Sequence, residues 1–463
     1  MSITISAQSL AEAKALYEKG EYEEAKPTFK KLVKTQPGNG NYNLWYGVCC
    51  LETGEPAEAL KHLESAVKRR VPSGQLYLAR AYNDLYRFEE AIETYETYIS
   101  DLRKRKRSTE EAEQLLEKSK SNLRMLKGVE EVCFIDSFVV DKEKFLDAYK
   151  ISPESGKLFM YDTYFNDSGK EGGTVYETEL GNKLYYSEMQ PDSTLSILSR
   201  NKLLDKWSDG SLLPGSINEA MNADYPYVLT DGITIYYASD GPGSMGGYDI
   251  FVTRYNTNTD SYLMPENVGM PFNSPYNDYM MVFDEVKGLG WFVSDRFQPE
   301  GKACVYLFIP NPEHKRVESE DIEVKRARAA ITAIRDSWKE SSDYADLIRL
   351  SHTEIPYGEK KIEKDFEFII GNNIVYYKLD DINSPEAKGY YEKVVALNKQ
   401  IKELNEKLDG LRVSYAEGNK ARKEQLKPTI LQAEEQLNAL LEQPGELEKK
   451  ARNAEINYLK NKR

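Results

Sequence analysis

The chain has 463 residues, enough for about two to four domains with separate cores. With 40% hydrophobic and 11% aromatic residues it is not the sequence of a disordered protein. Its formal net charge of −14 argues against non-specific binding to nucleic acid, and it contains no apolar run long enough to predict a transmembrane segment.

The N-terminal stretch MSITISAQ is too short for a secretory leader but has the composition of the end of one. An apolar segment leads to Ser6-Ala7 before Gln8, as small residues precede a cleavage site. We therefore expect a start further upstream and a periplasmic protein, with outer-membrane association left open. An ordinary N-terminal segment is the alternative.

Cysteine and histidine are scarce and scattered. The four cysteines show no C-x-x-C spacing, and the three histidines lie far apart. We expect no disulfide framework, no metal site, no cofactor and no catalytic residues of the Ser-His-Asp type.

Three segments in the N-terminal part repeat with a period of about 33 residues. Small residues recur where two helices would cross, and a turn precedes each second helix. The recurring positions are Ala25, Ala59 and Ala91 in the helices and Gly20, Gly54 and Arg87 in the turns. The pattern resembles the tetratricopeptide repeat (TPR) over residues 8–102, followed by a capping helix at 109–126.

The resemblance implies an α-solenoid over residues 8–127 with a concave surface for a protein partner. A spacer with an empty groove is the alternative. We assign candidate contacts on this segment to Asn43, Tyr46, Tyr77 and Tyr82. The basic run RKRKR at 103–107 is interpreted as a solvated loop between helices.

Between residues 130 and 312 the apolar pattern changes from helical to alternating. Aromatic-rich strand cores recur as GKLFMYD, NKLYYSE, ITIYYASD and GLGWFVSD, separated by polar turns. The aromatic pairs of the last three cores are roughly 50 residues apart, which fits one four-stranded propeller blade. We predict a β-propeller over 130–312, and NNIVYYKLDD at 372–381 as a late strand that closes it.

The stretch SDGPGSMGGYDIF contains a G-x-G-x-x-G motif, Gly241 to Gly246. A dinucleotide site requires a helix directly after these glycines, whereas Tyr248–Tyr255 has the alternating pattern of a strand. We therefore reject nucleotide binding and expect the glycines to supply positive φ angles in a tight turn.

The segment from YPYVLTDGITIYYASDGPGSMGGYDIF to GWFVSD resembles the TolB-type, WD-repeat-like propellers of Bacteroidetes-type cell envelopes. In those proteins a TPR array often precedes the propeller, and some belong to the type IX secretion and gliding apparatus. The resemblance covers roughly 8–102 and 224–310. The OmpA-like domain of such proteins has no counterpart after residue 385.

Three aspartates near the glycine turns, Asp240, Asp249 and Asp295, are candidate partner-binding residues. They could hold Ca²⁺, or they could accept hydrogen bonds from turn amides, which is commoner. The tyrosines of these strands are more typical of sheet packing than of a glycan-binding surface.

After a charged linker helix in 313–384, residues 385–463 carry two heptad patterns. The apolar positions of the first are Leu397, Ile401, Leu404, Leu408 and Leu411, and those of the second are Leu426, Ile430, Ala433, Leu437 and Leu440. With Gly418-Asn419 as the turn, they predict an antiparallel helical hairpin; a coiled coil between two copies is the alternative.

The predicted fold is thus multidomain, α-solenoid, all-β propeller and helical hairpin. We interpret the chain as a non-enzymatic scaffold with envelope or secretion-machinery partners. A propeller-based glycan hydrolase and a small-ligand sensor are the alternatives. The hydrolase hypothesis is weakened if Asp240, Asp249 and Asp295 all bind turn amides.

Overall fold

The computed structural model describes residues 9–461 except 167–168, 204–205, 219–220, 257–258, 260, 312, 340–341, 355–365, 367, 372–373, 418–419 and 442. The chain forms two compact units, Met1–Glu359 and Lys360–Arg463. The leader-like stretch at 1–8 and the Gly418-Asn419 turn lie outside the described residues.

In the first unit, the chain from Leu10 to Lys127 folds into seven helices. They are α1 (Leu10–Lys19), α2 (Tyr22–Thr35), α3 (Gly40–Glu52), α4 (Pro56–Lys68), α5 (Gly74–Asp84), α6 (Phe88–Lys104) and α7 (Glu110–Lys127). The repeated alanines, Ala25, Ala59 and Ala91, are completely buried. A Cβ on Gly47 would come 2.9 Å from the Leu63 side chain. Small residues are therefore required where these helices cross.

The turn inside each of the three helix pairs contains one residue in the left-handed region. Gly20 and Gly54 have φ angles of 83° and 76°, and the third such residue is Tyr86, with φ 59°. The sequence repeat predicts Arg87 at this position, whereas the structure has Tyr86 there, one residue earlier. The conformation costs a non-glycine residue about 1 kcal/mol. Tyr86 is held there because its buried ring packs against Phe297 of the sheet segment.

The loop after α6 has the same geometry at Lys106, whose φ is 54°. The amides of Lys106 and Arg107 donate to the carbonyls of Arg103 and Leu102, both at 3.0 Å. Because Lys106 is exposed and glycine adopts this conformation freely, Lys106→Gly should raise the free energy of unfolding by about 0.5 kcal/mol. Chemical denaturation followed by circular dichroism measures it. The matched variant Lys104→Gly, at the end of α6, should be destabilising; a fall for both would contradict the prediction.

Strands begin directly after α7. They are β1 (Cys133–Asp141), β2 (Lys157–Met160), β3 (Gly172–Glu177), β4 (Lys183–Met189), β5 (Leu195–Leu203), β6 (Lys206–Trp207), β7 (Ser211–Leu212), β8 (Ala223–Val228), β9 (Thr234–Ser239), β10 (Asp249–Asn256), β11 (Ser261–Tyr262), β12 (Glu266–Asn267), β13 (Val282–Asp284), β14 (Leu289–Ser294) and β15 (Lys302–Ile309). Two short helices accompany them, α8 (Tyr161–Phe165) and α9 (Gly215–Asn218).

The described strands of this segment form three antiparallel sheets and no closed barrel. The first has the order β2-β3-β4-β5-β6, with β7 also on β5; the second has the order β11-β10-β9-β8, with β12 also on β10. The third has the order β1-β15-β14-β13, so the strand that precedes the other two sheets completes it. One buried core joins all three sheets and includes Tyr185, Ile235 and Trp291.

The segment after the third sheet forms two short helices, α10 (Ile322–Ala330) and α11 (Ala345–Ser351), instead of one linker helix. The Arg326 guanidinium donates through Nε to the Tyr86 carbonyl at 3.0 Å. The Trp338 indole donates through Nε1 to the Phe134 carbonyl at 2.7 Å. This segment is therefore fastened to both the helical repeats and the third sheet.

The second unit consists of a small hairpin and long helices: β16 (Phe368–Gly371), β17 (Ile374–Tyr376), α12 (Pro385–Glu417), α13 (Lys420–Leu441) and α14 (Gln443–Asn461). The segment 372–381, expected to be a closing strand, contains β17, which pairs with β16 within the second unit. Helix α12 packs against α13 and α14 of the same chain, with Arg412 and Glu434 at 2.7 Å. Leu408, Leu426 and Ala433, which occupy heptad positions of α12 and α13, are buried.

Candidate functional site

Two of the four candidate contacts on the solenoid belong to its interior. Asn43 is 3% exposed, and its Nδ2 donates to the Pro37 and Asn39 carbonyls at 2.8 and 2.9 Å. Its Oδ1 lies 2.8 Å from His62 Nδ1. Tyr46 is 2% exposed and its ring packs edge-on against His62. These side chains fix α3 to α4 and offer little surface to a partner.

The other two candidates, Tyr77 and Tyr82, lie half-buried on α5. The Arg80 guanidinium lies over the Tyr77 ring at 5.5 Å, and Arg87 lies over Tyr82 at 4.6 Å. The Tyr82 hydroxyl donates to Glu64 Oε1 at 3.3 Å. Both rings therefore keep an accessible edge, and their role in partner binding stays a prediction.

Asp240 and Asp295 make the same structure in the second and third sheets. In each case an asparagine 18 positions earlier in the chain donates its backbone amide to one carboxylate oxygen and its side-chain amide to the other. The distances are 2.7 Å for both bonds from Asn222 to Asp240, and 2.9 Å for both bonds from Asn277 to Asp295. We call each pair an Asn-Asp clasp. The clasp joins the segment before β8 to the end of β9 in the second sheet, and the segment before β13 to the end of β14 in the third.

Asp249 is completely buried at the start of β10. Its carboxylate accepts from the amides of Met245 and Gly246 at 2.8 and 3.1 Å and from Asn267 Nδ2 at 2.7 Å. All three candidate aspartates therefore bind amides, the condition that weakens the hydrolase hypothesis. In the part of the chain that the structure describes, no group of three or more His, Cys, Asp or Glu could hold a metal ion.

The glycine motif forms the surface on which the helical repeats dock. Lys118 on α7 donates to the Gly246 carbonyl at 2.7 Å. The neighbouring Met245 is 1% exposed, in a core shared with Tyr86. A strand follows the glycines, as the sequence predicts. Positive φ applies to Gly243 (93°), whereas Gly246 is needed for close approach, since a Cβ there would lie 1.9 Å from the Tyr276 carbonyl oxygen.

Acidic side chains with raised pKa values line this interface. Burial raises the pKa of Asp84 to about 7, although Arg80 opposes the shift. Burial, together with the charge of Asp278, also raises the pKa of Asp249 to about 7. Burial lowers the pKa of Lys118, which faces both Asp84 and Asp249. Between about pH 4 and 7 the interface therefore holds protons that the unfolded chain would release.

These shifts give the stability of the first unit a pH dependence. Between about pH 4 and 7 the folded state keeps protons that the unfolded carboxylates lose, so this contribution weakens as the pH rises. We expect Asp84→Asn to raise the free energy of unfolding by about 1 kcal/mol at pH 8 and to leave it nearly unchanged at pH 4. Melting curves across this range measure it, with Asp209→Asn, on an exposed aspartate, as the control. Equal effects at both pH values would contradict the prediction.

Comparison with known families identifies the helical segment. The tetratricopeptide repeat model matches residues 10–74 and again residues 52–108. The chain is therefore a TPR-containing protein, and its three helix pairs are the repeats. Comparison with curated proteins gives no match. Among the described helices, none combines the length and apolar character that crossing a membrane requires.

Proposed function

We propose that the chain is a non-enzymatic scaffold that binds other proteins through its TPR segment. TPR helices commonly present an extended surface to a protein partner. The proposed site of action is the periplasm, in secretion or envelope assembly, with envelope proteins as partners. The resemblance of the SDGPGSMGGYDIF region to envelope propellers supports this location.

The observation that carries the scaffold proposal is the fixed mounting of the repeats on the sheets. Besides the Lys118–Gly246 bond, the Tyr276 hydroxyl reaches the Asp84 carbonyl at 3.4 Å, and Arg326 reaches Tyr86. These contacts involve α7 and the turn between α5 and α6. A binding surface held rigidly on a second module loses less entropy on association than one on a flexible tether.

We also propose that the three sheets are blades of a small propeller. The second and third sheets carry the same Asn-Asp clasp, and its two members are 18 positions apart in both. The first sheet contributes Tyr185 to the common core and Tyr186 to a separate core on its other face. Trp291 and Phe292 divide in the same way in the third sheet. Sheets covered on both faces are the expected arrangement of stacked blades.

Cross-linking with mass spectrometry tests the scaffold proposal. The full-length tagged chain is expressed in its native cells, treated with a lysine-reactive cross-linker and purified. We expect cross-links between one or two envelope proteins and lysines within 10–127. Cross-links confined to residues after 127 would overturn the assignment to the TPR segment. Recovery of the tagged protein from the cytoplasmic fraction alone would overturn the envelope location.

A further inference from the structure

A cleft of about 250 Å³ lies at one edge of the TPR segment, between the α4–α5 loop and the end of α6. Its floor is apolar and half-buried and includes Val67, Tyr98 and Leu102. Its two sides are about one repeat apart along the chain, so they come together only in the folded repeats.

Three exposed arginines, Arg70, Arg105 and Arg107, line the rim of this basic cleft. Within the described residues, none of their guanidinium groups lies within 4.0 Å of a carboxylate. By contrast the adjacent Arg103 pairs with Glu113 at 2.7 Å. The lining also contains Asp101, whose carboxylate pairs with Lys104 at 3.3 Å. The three arginines therefore remain cationic groups whose hydrogen-bonding capacity is open to a ligand, in a chain whose net charge is −14.

The basic cleft lies away from the sheets. The turn between α3 and α4 faces them, since a Cβ on Gly54 would come 3.4 Å from the Gln298 carbonyl oxygen. Helix α4 has 13 residues and leads from that turn to the cleft, a distance of about 20 Å. A partner can therefore reach the cleft while the docked edge stays in place.

The backbone holds one side of the rim in a defined position. Arg70 has a φ of 60°, and its amide donates to the Val67 carbonyl at 2.8 Å. The next amide, of Val71, donates to the Ala66 carbonyl at 3.1 Å. These bonds close α4 with a fixed loop, so the position of Arg70 is set before any partner arrives.

We propose that the basic cleft binds an acidic segment of a partner protein, with an apolar side chain of that segment on the cleft floor. This inference rests on the proposed scaffold function and specifies the chemistry of its partner. Guanidinium groups bind carboxylates through paired hydrogen bonds, and Arg70, Arg105 and Arg107 can do so from two sides.

Size and charge both favour such a segment over other ligands. At about 250 Å³ the cleft is smaller than the usual site for a small molecule but large enough for one apolar side chain. The chain as a whole carries a net charge of −14, so the three arginines distinguish this edge as one that attracts an acidic segment. A flat anionic membrane would contact the arginines but would not fill the floor between them.

Fluorescence anisotropy with a labelled peptide tests the proposal on the full-length chain. The probe is a short Glu- and Asp-rich peptide with a central Leu-Phe pair, and a second probe has Ser-Ser in its place. The cleft variant combines Arg70→Glu, Arg105→Glu and Arg107→Glu. The matched control combines Lys19→Glu, Lys31→Glu and Lys34→Glu, three exposed positions outside the cleft, and changes the net charge equally. Circular dichroism melts confirm that both variants fold.

We expect the cleft variant to bind the first probe at least about tenfold more weakly than the unaltered chain, and the control to lose less than about threefold. The Ser-Ser probe should also bind about tenfold more weakly. Equal losses in both variants, or preferential binding to phosphatidylglycerol vesicles that the peptide cannot displace, would overturn the proposal. If the cross-links to envelope proteins persist in the cleft variant, the scaffold function stands and only the basic cleft is excluded.

Discussion

Replacing Arg296 by methionine should lower the free energy of unfolding of the first unit by about 3–5 kcal/mol. Both Arg296 and its partner Asp278 are completely buried, with Arg296 Nη2 2.6 Å from Asp278 Oδ1. Removing one member of such a pair leaves the other charge in the interior without compensation. Urea denaturation of the full-length chain measures the loss.

The guanidinium does more than neutralise Asp278. Its nitrogens donate to the carbonyls of Pro271, Phe272 and Ala329 at 2.8, 2.6 and 3.3 Å and to Ser294 Oγ at 2.8 Å. Arg296 thereby joins the loop before β13 to the end of α10. Lysine cannot make this set of bonds, since it has one nitrogen. We therefore expect Arg296→Lys to be nearly as destabilising as Arg296→Met.

Two comparisons distinguish this effect from a general loss of charge. Lys302 pairs with Asp141 at the surface, so Lys302→Met should cost less than about 1 kcal/mol. Adding Asp278→Asn to Arg296→Met should recover part of the loss, because the isolated buried charge disappears. A double variant that is as unstable as the sum of both single variants would show that Arg296 and Asp278 act independently.

The helical repeats could be predicted because their determinants are local. The positions of Ala25, Ala59 and Ala91 follow from the helical period, and the turns at Gly20 and Gly54 follow from the φ angles that glycine permits. Tyr86 could not be predicted as the third turn residue. Its backbone conformation is unfavourable for tyrosine and depends on tertiary contact with the sheets.

Strand positions were predictable, whereas strand partners were not. Alternating apolar residues indicate a strand but do not specify which other strand it pairs with. The sequence suggested 372–381 as the late closing strand, yet β17 pairs with β16 and β1 pairs with β15. The β16–β17 hairpin is a local pairing, whereas β1 and β15 join residues more than 160 positions apart, and no local pattern specifies that pairing.

The sequence identified the candidate aspartates but not the residues that bind them. The aspartates were recognised as turn residues, but their asparagine partners lie about 18 positions away and carry no local signal. The basic cleft could have been anticipated by aligning the repeats, because Arg70 and Arg105 stand about one repeat apart. The cleft itself depends on how α4 and α6 pack, which the period alone does not specify.

Glu455→Ala should destabilise the second unit by about 2–4 kcal/mol and leave the first unit unchanged. Glu455 lies on α14 and is completely buried. Its Oε1 accepts from the Tyr376 hydroxyl at 2.8 Å and the Asn383 amide at 3.0 Å, and its Oε2 accepts from the Ser384 amide at 2.8 Å. One carboxylate therefore fastens β17 and the start of α12 to α14.

The location of Glu455 explains why its loss should be confined to one unit. The Ser384 and Asn383 amides precede α12, where donors lack partners within the helix and a carboxylate is favoured by the helix dipole. Without it, the Ser384 amide stays buried without its acceptor, beside the apolar core that contains Phe368, Tyr391 and Ala451. Alanine fills neither the volume nor the hydrogen-bonding role. The hairpin and the start of α12 should then loosen together.

Hydrogen exchange of the full-length chain measures this effect unit by unit. In Glu455→Ala, amides of 374–376 and of the first turns of α12 should exchange about thirtyfold or more faster, the ratio that 2 kcal/mol implies. Amides of α3 and β14 in the first unit should not change. Glu392→Ala, on an exposed position of α12, is the matched control and should leave both units unaffected. Faster exchange throughout the first unit would contradict the assignment of Glu455 to a local role, because its hydrogen bonds join only elements of the second.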